Sequence, residues 1–247
     1  MTQAAPHALD HLAALTSTQA TFLSSIGEVD PVTPIPWCGR WRVRHLVEHL
    51  GRVHHWAAAQ AAKQHETPLG RGPFVLDEFY ATYAAEVRDA LARLGDREAW
   101  TLVGTGPASW WRRRQLHETL VHLWDLRASS GLDVVAAPEV WSDTVDEVVT
   151  VMQPRQVALG RMEPLPFTVA LRASDTDRTW VLGTASGAAA DDADDAVADD
   201  EPLVAVTGPA RELALLLWGR LTPDADELRI TGEQDALDRA LAEHLTP

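Results

Sequence analysis

"RRRQLHETLVHLWD", residues 112–125, reads as a helix that carries charge on a side that ought to be buried. Leu116, Leu120 and Leu123 recur at helical spacing and mark one apolar face. Glu118 and His122 lie one turn apart, Asp125 follows three residues later, and Trp111, Arg114 and Gln115 run along the same strip. Side chains four apart on a helix stand about 5–6 Å from one another, so Glu118 and His122 can reach one ion. A second buried strip that is polar needs a reason, because an unpaired buried carboxylate is very costly. The stretch is not the zinc-protease pattern H-E-x-x-H, since residue 121 is Val121. His117 and His122 are five apart, about 140° out of register at 3.6 residues per turn. Glu118 is therefore a candidate ligand, not a general base between two ligands.

Outward from this helix, the first ~155 residues repeat the helical period. "LDHLAALTSTQATFLSSIG" (9–27), "WRVRHLVEHLGRVHHWAAAQAAK" (41–63), "LDEFYATYAAEVRDALARLG" (76–95) and "PEVWSDTVDEVVTVMQPRQVA" (138–158) each carry an apolar stripe. Short loops between amphipathic helices predict an antiparallel bundle. The pattern changes after Pro164 and Pro166. "FTVALRAS", "RTWVLGTA", "PLVAVTG" and "ELRITG" are short β-type runs, with helices over 210–220 and 233–245. The expected fold class is α+β: an antiparallel four-helix bundle over 1–160, then a small α+β domain over 161–247.

Composition narrows the function. Acidic residues outnumber basic ones 36 to 21, a net charge of −15. This argues against nonspecific nucleic-acid binding, which needs clustered Lys and Arg. No apolar run approaches the ~20 residues of a membrane span, and the N-terminus gives no secretory signal, so a cytoplasmic protein is expected. The single cysteine, Cys38, rules out an intrachain disulfide and reads as incidental in the loop "PWCG". "DDADDAVADDE" (191–201) reads as a solvated loop without the Gly turn and closing Glu of a calcium loop.

A third ligand must come from another helix. "HLVEH" offers His45 and His49, with His54 and His55 beyond, and His49 is flanked by Leu46, Leu50 and Val53. His49, Glu118 and His122 would make a two-His, one-carboxylate set, suited to Zn²⁺ or another divalent transition metal with an open position. Spacing alone leaves open whether these are ligands or ordinary core and surface polar residues.

The two helical stretches, "WRVRHLVEHLGRVHHWA" and "RRRQLHETLVHLWD", resemble the signatures of the mycothiol-dependent maleylpyruvate isomerase family, a branch of the DinB-like metalloenzymes. "LPFTVALRASDTDRTWVLG", "VTGPARELALLLWGR" and "LRITG" resemble its sterol-carrier-like C-terminal module. The resemblance implies that His49, Glu118 and His122 bind a divalent metal, most simply Zn²⁺. It implies mycothiol, a low-molecular-weight actinobacterial thiol, as cofactor, and a small electrophile as substrate. The chemistry would be cis–trans isomerisation or thiol transfer. Arg220 resembles a family arginine that reaches the active site, in keeping with the paired hydrogen-bond fork of arginine. Asp125 is a candidate partner that orients a ligand, and Arg114 faces the cofactor by helical phase. A non-catalytic bundle that binds a small molecule is the alternative. A regulatory zinc protein is weakened by the lack of a cysteine pair.

Overall fold

The structure, a computed structural model, describes residues 9–183, 201–243 and 245–246. Apart from Glu201, the acidic run at 191–201 lies outside the described residues. Two compact units form, Met1–Val135 and Ala136–Pro247. No described helix is long and apolar enough to cross a membrane.

The first unit is built on α1 (His11–Ile26), α2 (Val43–Ala61), α3 (Leu76–Leu94) and α4 (Trp110–Ala128). α2 packs on α3 and α4, and α1 packs on α4 and α3, which closes a four-helix bundle. Asp10 starts α1 by accepting from the backbone N–H groups of Leu12 and Ala13. Leu15, Phe22, Leu46, Leu50, Leu91, Leu116 and Leu120 fill the interior. Gly51 sets the approach of α2 to α3, since a Cβ there would stand 2.6 Å from a ring carbon of Phe79. α4 is buried on its leucine face and on its polar strip alike: Arg114, Gln115, His122 and Asp125 are all inside. A hairpin of β1 (Glu98–Thr101) and β2 (Gly104–Pro107), not expected from the sequence, joins α3 to α4.

The second unit opens with α5 (Pro138–Glu147), one π-helical turn (Val148–Met152) and α6 (Gln153–Ala158). The wide turn ends two residues before Pro154, which has no N–H to donate to the carbonyl four residues back and whose ring would clash with it. The sheet has the order β4–β3–β5–β6, formed by β3 (Val169–Ala173), β4 (Thr179–Leu182), β5 (Val204–Gly208) and β6 (Arg229–Gly232). β3 and β5 run parallel and the other pairs antiparallel. α7 (Ala210–Leu217) packs on α5, and α8 (Gln234–Ala242) closes the chain. The boundary thus falls at 135/136, upstream of the one expected near residue 160. Contacts of α5 explain the shift. It packs against α7, and its Asp146 accepts from Arg178 Nη2 at 2.6 Å and Trp180 Nε1 at 3.0 Å on the sheet.

α7 stops three residues short of the expected end, in a Schellman motif. Gly219, at φ +69°, lets its N–H reach the Leu216 carbonyl while the Arg220 N–H reaches that of Leu215. This fixes the backbone of Arg220 beside a well-packed helix.

Candidate metal centre

Three side chains converge between α2 and α4. His49 Nε2 and His122 Nε2 each stand 3.3 Å from the same oxygen, Glu118 Oε1. The three ligand atoms lie within 4.8 Å of one another. A tetrahedral ion with bonds of about 2.0–2.2 Å separates its ligand atoms by about 3.3–3.5 Å, so the observed spacing fits a zinc-sized cation. The rings of His49 and His122 meet edge to face, 5.1 Å between centroids, and Trp41 packs on His49 at 4.8 Å. His49 is the accessible member, with 32% of its side chain exposed.

Neighbouring groups hold two of the three side chains, His122 and Glu118. Asp125, fully buried, accepts from His122 Nδ1 at 2.9 Å, which leaves the lone pair of Nε2 on the Glu118 side. Arg114 Nη2 donates to Glu118 Oε2 at 2.8 Å and is only 3% exposed. One oxygen of Glu118 is thereby tied down and the other is turned to the histidines. The arginine assigned by helical phase to the cofactor is thus found paired with Glu118. Cys38 Sγ lies 3.6 Å from Asp125 Oδ2, a neighbour the sequence did not suggest.

Electrostatics agree with the geometry. Burial alone would lower the His122 pKa, but hydrogen bonds to Asp125 and Glu118 and the charges of both outweigh it and raise it to about 9. Burial would likewise raise the Glu118 pKa. Its hydrogen bonds with His122 and His49, then the Arg114 charge, hold it well below the usual range. The site therefore favours positive charge beside two carboxylates.

The other candidates lie elsewhere. His45 Nδ1 accepts from the Arg42 backbone N–H at the start of α2. His55 is bonded to Glu86 Oε2 at 2.7 Å and to Thr67. His117 is buried against His11. Arg112 bonds the Leu91 carbonyl at 2.9 Å. Arg220 belongs to the second unit, where its Nη1 donates to the Trp218 carbonyl at 2.6 Å.

Behind the site, α1, α2, α3 and α4 share a polar chain. Arg88 Nη1 donates to Gln19 Oε1, Gln19 Nε2 to His54 Nε2, and His54 Nδ1 to Gln115 Oε1 at 2.7 Å. Burial lowers the His54 pKa to about 4. A histidine held neutral in the fold contributes stability that is complete above its unfolded pKa of about 6.5 and is lost as pH falls toward 4. The loss amounts to about 3 kcal/mol at its limit. Urea unfolding at pH 7 and pH 4.5 should show the wild type losing more stability than His54→Gln. Equal losses would mean that His54 does not titrate with folding.

Known proteins can be compared with this arrangement. The family model of the mycothiol maleylpyruvate isomerase N-terminal domain matches residues 12–127, and that of the MDMPI C-terminal domain matches residues 139–239. No curated protein matches the sequence. Among solved structures, the chain is similar to a mycothiol-dependent maleylpyruvate isomerase, at TM-score 0.61 and 16% identity over 91% of this chain and 93% of that one. A histidine-to-alanine mutant of a mycothiol-dependent maleylpyruvate isomerase matches at TM-score 0.63, with the same identity and coverage. At that identity the likeness shows the fold.

Proposed function

This chain belongs to the mycothiol maleylpyruvate isomerase family, and on that premise we propose that it is a mycothiol-dependent metalloenzyme acting on a small electrophile. The observation that carries the reading is the convergence of His49 Nε2 and His122 Nε2 on Glu118 Oε1 at 3.3 Å each. In this reading His49, Glu118 and His122 hold a divalent ion, Zn²⁺ by donor type. A bound ion of this kind would keep a coordinated thiol as its thiolate, the nucleophilic form, at neutral pH.

The chain's own residues then have distinct tasks. Asp125 keeps His122 in the tautomer that ligates. Arg114 holds Glu118 to a single oxygen, which leaves room for an outside thiol; a direct contact of Arg114 with mycothiol would require that pair to loosen. The exposed edge of His49 gives access. Arg220 is assigned to the substrate, as a guanidinium fork for a carboxylate. The chemistry is addition to an activated double bond followed by rotation and release, or displacement that leaves the thiol attached. Cis–trans isomerisation of maleylpyruvate is the first reaction to assay.

The test is turnover of maleylpyruvate and a panel of electrophiles, with and without mycothiol, before and after chelation. Turnover should need the thiol, stop on chelation and return with Zn²⁺. Turnover that survives omission of the thiol, or chelation to below a tenth of an ion per chain, would sink the reading.

A further inference from the structure

We propose that Cys38, His122 and Asp125 form a second metal-binding position, selective for thiophilic ions, that excludes the first because both need His122. The inference rests on the assignment of His49, Glu118 and His122 to a resident metal. It adds a ligand set on the other side of the same imidazole.

Cys38 Sγ, Asp125 and one ring nitrogen of His122 lie within 4.8 Å of one another. A zinc-sized tetrahedral ion, with about 2.3 Å to sulfur and about 2.0–2.1 Å to oxygen, separates the two by about 3.6 Å, and a larger soft ion needs a few tenths of an ångström more. The Cys38 Sγ to Asp125 Oδ2 distance is 3.6 Å. The His122 Nδ1 to Asp125 Oδ2 distance, 2.9 Å, has to open by a few tenths of an ångström. The position is built into the fold. Ile35 N–H bonds the Trp41 carbonyl, Cys38 N–H that of Ile35, and Trp41 N–H that of Cys38. Trp37 packs on Trp124 of α4, 4.5 Å between centroids, next to Asp125. Cys38 is half-buried, so an ion can reach it.

The donors sort the ions. Nitrogen, nitrogen and oxygen serve Zn²⁺ and similar borderline ions; a thiolate also binds Zn²⁺ but gains most with softer ions such as Cd²⁺. Exclusion follows from the imidazole. At the first position His122 ligates through Nε2 and keeps its proton on Nδ1, donated to Asp125. At the second it must ligate through Nδ1, so the proton sits on Nε2 and faces Glu118. A neutral ring serves one ion at a time. Capture of a soft ion releases the Cys38 thiol proton to solvent, moves the ring proton across and strips the first position of His122. No electrons are transferred.

The experiment adds Cd²⁺ to the zinc-loaded full-length chain and follows two signals: the ultraviolet charge-transfer band of a cadmium–thiolate bond, and zinc released to a chromogenic chelator. Cys38 is the only cysteine, so the band reports one residue. The band should saturate at about one Cd²⁺ per chain while about one Zn²⁺ leaves. Cys38→Ser should abolish the band and keep its zinc as purified. His49→Ala, which cripples only the first position, should keep the band with undiminished Cd²⁺ affinity. The proposal is overturned by no band in the wild type, by a band that forms while bound zinc stays in place, or by saturation at half an ion per chain, which would mean two chains sharing one ion. A chain that neither purifies with zinc nor takes it up, yet gives the band, would sink the first position and the exclusion with it, and leave only a thiophilic site at Cys38, His122 and Asp125.

Discussion

Purified chain should carry about one divalent ion, and His49→Ala and His122→Ala should each lose it. A structural zinc site gathers about 10–16 kcal/mol from four ligands, so one histidine is worth roughly 2.5–4 kcal/mol, or about seventy- to a thousandfold in affinity. The two variants should differ in their second effect. His49 is partly exposed, and its removal leaves the fold close to intact. His122→Ala also removes the donor that Asp125 holds at 2.9 Å in the interior, so this variant should be the less stable of the two. Asp125→Asn should fall between wild type and the ligand variants, roughly ten- to a hundredfold weaker in metal affinity, because it keeps the shape but loosens the hold on the His122 tautomer. Metal content by elemental analysis, affinity by chelator competition and helicity by circular dichroism check all three. Full metal retention in both histidine variants would remove the ligand assignment.

The bundle was legible because its helices carry strong 3.6-residue periodicity with real stops, such as Gly27, Gly95 and Gly131. The polar strip of α4 was legible for a different reason: a row of Arg114, Glu118, His122 and Asp125 on a buried helix contradicts simple burial unless the groups have partners. Spacing gave a face and not a partner. Arg114 and Glu118 are four apart, so their ion pair was within reach of the i, i+4 rule, yet phase alone pointed Arg114 into the cleft, to a cofactor. Contacts between distant segments left no local signal. Trp41 on His49, Cys38 beside Asp125 and the Gln19–His54–Gln115 chain join separate elements. The hairpin at 98–107 was hidden because "EAWT" and "GTGP" are four residues each and do not alternate. The unit boundary was misplaced because 138–158 has the same helical period as the bundle, and periodicity does not say which core a helix joins.

Arg220→Ala should leave metal content unchanged and lower kcat/KM by roughly ten- to a thousandfold. That range is expected when a charge-assisted contact of about 1.5–4 kcal/mol to an anionic substrate is lost. The mount is suited to the task. The Arg220 N–H closes on the Leu215 carbonyl at 2.8 Å and Gly219 on that of Leu216, while Leu213, Leu216 and Leu217 are buried. The backbone motif does not use the side chain, so the alanine variant keeps it. A backbone anchor held this firmly limits where the side chain can start from, which favours a substrate clamp. The competing account is local: Nη1 bonds the Trp218 carbonyl at 2.6 Å, and the guanidinium stands 5.8 Å over the Trp218 ring. If those contacts were its whole purpose, Arg220→Ala would cost about 1 kcal/mol of stability and leave steady-state kinetics unchanged. Arg220→Lys separates the accounts further. A lysine can replace the single bond to Trp218 but not a planar fork on a carboxylate. Partial rescue of kcat/KM, with the wild-type melting temperature, supports the clamp. Wild-type kinetics in both variants would remove Arg220 from the reaction while leaving the metal ligands untouched.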